Sequence, residues 1–329
     1  MSRSTRSRDA TPDPLRPITE ALADGASALG IPDGATLLLA VSGGPDSTAL
    51  LHGAAQLAPG RGWRLVVAHL DHALRAESAA EAATVAATAA RLGLAAEVRR
   101  ADVQALATAE HRSLEDAGRQ ARYRFLEEAA ATIGPEALIA TAHTADDAAE
   151  TMLLRLARGS GLRGVRGIPA RRGRIVRPLL SARRATLRAS LDAAGIPYVT
   201  DPSNAELAHA RNRVRAELLP SLERVSPAAV EALLRFGRLA ADDDDLLDSL
   251  ASAELAARRS GDDGSIDWHS PPRRALGRRM LRLALGEPAP SAERIEAVLD
   301  AAEGPRGGVS IELGAGRHAS VRERRIRLG

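Results

Sequence analysis

The chain has 329 residues, 45% of them hydrophobic, and sets 45 basic residues against 42 acidic ones for a formal net charge of +3. That length holds a full α/β domain plus a smaller second one, and aromatic residues at only 2% leave the core to Leu, Val, Ile and Ala. The absence of cysteine excludes disulfides, thiolate metal sites and iron–sulfur clusters; the absence of lysine excludes Walker-type phosphate loops, Schiff bases and a lysyl-adenylate nucleophile.

Residues 1–16 are polar and Arg-rich without a hydrophobic signal core, and are expected to form a disordered leader. No apolar run approaches a membrane span, so a cytoplasmic protein is expected. Strands are predicted at Thr36–Val41, Arg64–Leu70, Ala95–Arg99, Ala137–Thr141 and Arg174–Val176, with room for a helix in each gap between the first four. Such alternation implies a parallel sheet with right-handed crossovers, whose ligands bind beyond the carboxyl ends of the strands. Near Arg215 the alternation stops, and Pro220 and Pro227 punctuate the join. Helical patterns follow at Ala228–Arg259, Pro272–Leu285 and Ala292–Ala302, then short alternating segments at Gly308–Leu313, Arg317–Val321 and Arg324–Leu328 that read as a β-meander. The expected organisation is a leader (1–16), a catalytic α/β domain (17–216) and a smaller, mainly helical C-terminal domain (217–329).

The first strand runs into Ser42-Gly43-Gly44-Pro45-Asp46-Ser47 and then a helix from Asp46 to Leu57. Glycines let backbone approach an anion, and a helix start offers unpaired N–H groups and a positive dipole end. An ordinary strand-to-helix turn also uses Gly-Gly pairs, but the flanking serines, the aspartate and the wholly apolar strand favour a phosphate seat.

A second constellation opens the helix after the fourth strand. His143, Asp147 and Glu150 stand four and three residues apart, on one side if the first turn is helical, and form a face for a cation. Acidic residues also favour helix starts for the dipole, which accounts for part of the pattern. Acids cluster at Asp242–Asp245 and Asp262–Asp263, whereas arginines crowd 155–188 and 211–215, which points to a polyanionic partner.

The turn at Ser42–Ser47 resembles the pyrophosphate loop of the N-type ATP pyrophosphatases. Together with His69-Leu70-Asp71-His72-Ala73-Leu74-Arg75, Glu115, Arg119-Gln120-Ala121-Arg122-Tyr123, His143 with Asp146-Asp147 and Glu150, Arg158-Gly159-Ser160-Gly161, Arg177-Pro178-Leu179-Leu180, Asp201-Pro202-Ser203-Asn204 and Arg211–Arg215, it resembles the tRNA(Ile)-lysidine synthetase family over roughly residues 34 to 220. The resemblance implies an α-hydrolase-like PP-loop domain that adenylates the wobble cytidine of tRNA(Ile) bearing a CAU anticodon and lets free L-lysine displace AMP. It implies ATP held by Ser42, Gly43, Gly44, Pro45, Asp46, Ser47, His69 and Leu70, with Mg²⁺ on Asp46. Lysine would sit against His143, Asp147 and Glu150. Catalytic roles fall to Asp46, Asp147, Glu150 and Arg119, and tRNA contacts to Arg122, Arg158, Arg163, Arg166, Arg211, Arg213 and Arg215. For Arg119 and Arg122 a solvated helix face paired with Glu115, Glu127 or Glu128 is the competing reading. A membrane is not among the expected partners, and a homodimer is left open. Sulfur-relay tRNA thiolases and glutaminase-fed synthetases need the missing cysteine; an ammonia-dependent relative and a non-catalytic ATP- or RNA-binding module are the remaining alternatives.

Overall fold

The structure, a computed structural model, describes residues 13–73, 78–200, 210–260, 264–305 and 308–329. The leader up to residue 12, Leu74 and Arg75, Asp201–Asn204 and the acidic pair Asp262–Asp263 lie outside the described residues. In chain order come α1 (Arg16–Ala28), β1 (Thr36–Ala40), α2 (Pro45–Arg61), β2 (Arg64–Asp71), α3 (Ser78–Arg91), β3 (Ala95–Arg100), α4 (Val103–Ala109), α5 (Leu114–Ile133), β4 (Leu138–Ala140), α6 (Ala145–Ala157) and α7 (Leu162–Val165). A short pair, β5 (Arg171–Arg172) and β6 (Ile175–Val176), precedes α8 (Arg184–Ala193), α9 (Ala210–Arg213), a π-helical turn (Val214–Leu218), α10 (Leu219–Val225) and α11 (Ala229–Arg258).

Two compact units emerge, one of residues up to 160 with 164–236, the other of 161–163 with 237–329. The division falls inside α11, later than the join read at 216/217. Leu219 of α10 and Val230 of α11 belong to one apolar cluster with Ala145 and Ala149 of α6, which keeps these turns with the first unit.

In the first unit the strand order is β3-β2-β1-β4-β6-β5, parallel except for β5, which pairs antiparallel with β6. β1 reads Thr-Leu-Leu-Leu-Ala and is covered on both faces, as a central parallel strand must be. Leu37 and Leu39 join a cluster with Leu22 of α1, Leu50 of α2 and Leu187 of α8; Leu38 joins the opposite cluster with Phe125 and Leu126 of α5. Each of these leucines is 3% exposed or less, and burial of each contributes about 2 kcal/mol. α1 approaches so closely that a Cβ on Gly25 would stand 1.8 Å from the carbonyl oxygen of Pro178, so only glycine fits there. Because β2 lies on one side of β1 and β4 on the other, the chain reverses its direction of winding at the carboxyl ends of β1 and β4, where such sheets hold ligands.

The second unit continues α11 into β7 (Arg259–Ser260), β8 (Ser265–Asp267), α12 (Arg274–Leu285), α13 (Ala292–Glu303), β9 (Val309–Gly314), β10 (Arg317–Arg322) and β11 (Arg325–Leu328). The expected terminal meander is present, and β7 and β8 extend it into an antiparallel sheet ordered β7-β8-β11-β10-β9. Trp268, fully buried, centres its core and packs against Gly277, where an added Cβ would meet the indole at 3.1 Å. Within the acidic run 242–245, Asp244 is buried and takes the Arg279 guanidinium at 2.6 Å.

Candidate functional site

The loop between β1 and α2 turns on Gly43, whose φ of +84° is a left-handed conformation that favours glycine. Gly44 caps α2 without a side chain and Pro45 takes the first helical position, so no side-chain hydrogen bond caps the positive end of the helix. Ser47 serves the loop itself: its hydroxyl donates to the Gly44 carbonyl at 3.0 Å and accepts from the Ser42 N–H at 3.1 Å. Ser42 is exposed, with its hydroxyl 3.1 Å from that of Ser47. Val199 N–H donates to the Gly43 carbonyl at 2.9 Å, tying the loop from the far side.

Asp46, in the first turn of α2, accepts from Arg184 Nε on Oδ2 at 2.9 Å, while its Oδ1 is buried with no hydrogen-bond partner among the described residues. Burial pushes the Asp46 carboxyl above the ordinary aspartate range, against the pull of Arg184. At the end of β2, His69 is buried with Nδ1 2.8 Å from the Val41 carbonyl oxygen. Leu70 faces the other way, its side chain in the apolar cluster with Leu38 and Phe125.

α6 begins with a capping box: Thr144 Oγ1 accepts from Asp147 N–H, and Asp147 Oδ2 accepts from the N–H and hydroxyl of Thr144, both at 2.9 Å. This divides the Asp147 carboxylate. Oδ1 remains free of the cap and accepts from Arg184 Nη2 at 2.7 Å and Arg211 Nη2 at 3.3 Å. One turn on, Glu150 is completely buried and accepts from Arg184 Nη1 at 3.1 Å, Arg211 Nε at 2.9 Å, and Arg215 Nε at 2.7 Å. Burial works against the charged form of Asp147, but Arg184, Arg211 and the Thr144 N–H outweigh it and hold its pKa below the usual aspartate value. His143 stands one residue before the cap and so off the helix face on which the spacing placed it. Its Nδ1 lies 3.0 Å from Thr141 Oγ1. Burial lowers its pKa to about 4, with Arg177, Arg211 and Arg119 adding to that effect against Asp147, and leaves the ring neutral at physiological pH.

Residues 17–222 match the model of the PP-loop domain family. The chain is 46% identical over 240 residues to the tRNA(Ile)-lysidine synthase of Salinispora tropica, covering 71% of each chain. The chain belongs to the tRNA(Ile)-lysidine synthase family. Two further members are the lysidine synthase of Geobacter sulfurreducens, 42% identical over 77% of this chain and 55% of its own, and that of Thermus thermophilus, 44% identical over 67% of this chain and 42% of its own. The chain thus spans about half the length of these two lysidine synthases. The fold is shared with the U34-tRNA thiolase NcsA of Methanococcus maripaludis at a TM-score of 0.57 and 13% identity, covering 68% of this chain and 80% of that one.

In this member of the lysidine synthase family, the basic residues read from the sequence divide into two sets. Arg211 and Arg215 bind the acid pair. Arg213 and Arg158 are exposed, Arg163 is exposed with Glu287 at 3.5 Å, and Arg166 is half-buried. Arg122 is exposed and points Nη2 at His72 Nε2, 3.2 Å away, and Arg119 is exposed over the ring of Tyr123. Among the described residues neither pairs with Glu115, Glu127 or Glu128; Glu128 takes Arg99 and Glu127 takes Arg174. The residue that sequence reasoning missed is Arg184, which joins Asp46, Asp147 and Glu150. Its neighbour Arg183 grips Asp146. A signal existed: two arginines at the start of α8, with no acid in its first turn, are placed against the helix dipole and need carboxylates elsewhere.

Proposed function

We infer that this chain uses ATP to join free L-lysine to C2 of the wobble cytidine of CAU-anticodon tRNA(Ile), through an adenylated tRNA, with release of AMP and pyrophosphate. The observation that carries this reading is the reach of a single guanidinium: Arg184 spans from Asp46 of the phosphate turn to Asp147 and Glu150 of the acid pair. That reach supports a nucleotide seat and a seat for a cationic amine side by side.

In this reading the backbone of Ser42–Ser47 and the start of α2 hold the β,γ-phosphates, with His69 and the Leu70 backbone beside the nucleoside. The orphaned, buried Oδ1 of Asp46 fits a divalent cation, and Mg²⁺ commonly takes one or two carboxylates with substrate phosphates completing its shell. Such an ion would neutralise charge on the departing pyrophosphate. The oxygen on C2 of cytidine bonds to the α-phosphorus as pyrophosphate leaves; the lysine amine then bonds to C2 as the C2–O bond to AMP breaks. Asp147 and Glu150 seat the lysine ammonium by exchanging a guanidinium donor for it, Arg211 and Arg215 being the more exposed of their partners at 35% and 31%. Only the neutral amine is nucleophilic, and the same carboxylates lie where its proton is shed. Arg119 faces the charge that develops on phosphate or cytidine, and Arg122, Arg158, Arg163, Arg166 and Arg213 the RNA backbone. The second unit is assigned to tRNA contact, and the reaction to the cytoplasm; among the described residues no helix is long and apolar enough to cross a membrane.

The test is a mass-spectrometric assay of tRNA nucleosides after incubation with ATP, Mg²⁺, lysine and CAU-anticodon tRNA(Ile). One lysine per tRNA and stoichiometric AMP are expected. Turnover supported by ammonia or a sulfur donor and not by lysine would overturn the assignment.

A further inference from the structure

On the outer side of α5 an open groove of about 440 Å³ is lined by Asp116, Arg119, Gln120, Tyr123, Arg124 and Arg172. That volume falls within the roughly 300–1,000 Å³ of small-ligand seats. Its centre is Tyr123, half-buried, with the guanidinium carbons of Arg119 and Arg172 over its ring at 5.1 and 5.4 Å from the centroid. Arg172 comes from β5, the edge strand of the sheet, so two distant segments bring their cations to one ring.

The charge around this ring is not neutralised from within. Asp116 is held by Arg112 at 2.8 Å, Glu127 by Arg174 at 3.6 Å, Glu128 by Arg99, and Glu110 by Arg112 and Arg124 at 3.1 and 3.6 Å. Arg119, Arg122 and Arg172 have no carboxylate partner among the described residues. A ring flanked by two guanidinium groups without carboxylate partners suits a ligand that is flat and anionic at once, which describes an unpaired nucleotide. Arg119 also acts electrostatically on His143, so one wall of the groove lies near the site.

We propose that the Arg119–Tyr123–Arg172 groove seats the base and phosphate of a loop nucleotide adjacent to the one that reacts, so that the substrate is gripped on an unstacked neighbour. This rests on the reading of an RNA substrate given above, and names the part of that RNA which the groove takes.

The experiment measures binding of an anticodon stem-loop RNA by fluorescence anisotropy over a salt series, with ATP affinity and thermal melting followed in parallel. Tyr123→Ala is expected to weaken binding about tenfold, Tyr123→Phe to stay within about twofold, and ATP affinity to hold in both. Arg172→Ala, a change at an exposed position, is expected to lower the salt slope by about 1. A stem-loop made abasic at the neighbouring nucleotide should bind wild type and Tyr123→Ala alike. Undiminished binding by Tyr123→Ala, or an equal loss on the abasic RNA, overturns the proposal. Wild-type protein that modifies tRNA while its Tyr123→Ala and Arg172→Ala variants bind normally refutes this groove alone; wild-type protein that binds no RNA refutes the broader reading.

Discussion

Glu150→Gln removes the charge of the most enclosed acid in the site while keeping its shape. Three guanidinium groups contact that carboxylate, at 3.1, 2.9 and 2.7 Å. At about 4 kcal/mol per pair for an effective dielectric near 20, their attraction is on the order of 12 kcal/mol. Desolvation of each ion offsets this by several kcal/mol, so the pair's net worth is far smaller than its attraction. Breaking a buried pair costs about 3–5 kcal/mol. Here Arg211 and Arg215 keep about a third of their side-chain surface in water, and Arg184 retains Asp147, so the low end applies. A loss of about 3 kcal/mol corresponds to roughly 6–12 °C in the melting of a unit this size. Circular dichroism melts at neutral pH read it directly, and the variant should also raise the KM for lysine. A shift below about 2 °C would refute the argument that Glu150 anchors the three arginines.

Asp46→Asn is expected to abolish ATP–pyrophosphate exchange with tRNA affinity nearly unchanged; equal loss of both would make Asp46 a structural residue. His143 binds a proton only near pH 4 when folded but near 6.5 when unfolded, so the unfolded state takes up more protons between those values and stability falls as pH drops through that window. Unfolding free energies from urea titrations should therefore decline by about 1 kcal/mol per pH unit on this account, and His143→Asn should flatten the decline. Arg213→Ala should weaken tRNA binding and lower the salt slope by about 1, whereas Arg211→Ala, whose partners are Glu150 and Asp147, should lower the melting temperature. Equal melting of the two variants would contradict that division.

The features legible in the sequence are those whose causes are local. An apolar strand entering Gly-Gly and then a helix fixes the turn after β1, and the parallel sheet follows from the alternation of strand and helix. The spacing of Asp147 and Glu150 was equally readable. What fills the acid pair was not, because it depends on closure over distance: Arg184 lies 138 residues from Asp46 and Arg211 lies 61 from Glu150. Arg211 and Arg215 therefore read as RNA contacts, since charge without its partner looks solvated. The strand β5 has only two residues and no period to detect. His143 was misplaced by one turn's geometry, since Thr144 takes the cap and starts the helix after it.

Among the described residues, the acids at the head of α6 form ion pairs only with guanidinium groups, in a chain with no lysine at all. Arginine does not titrate in any range where a protein stays folded. The charge of these guanidinium groups is thus constant over that range, so on the proposed function any titrating amine there is the substrate's own. For the same reason amine-directed reagents find no ε-amino group to attack anywhere along the chain.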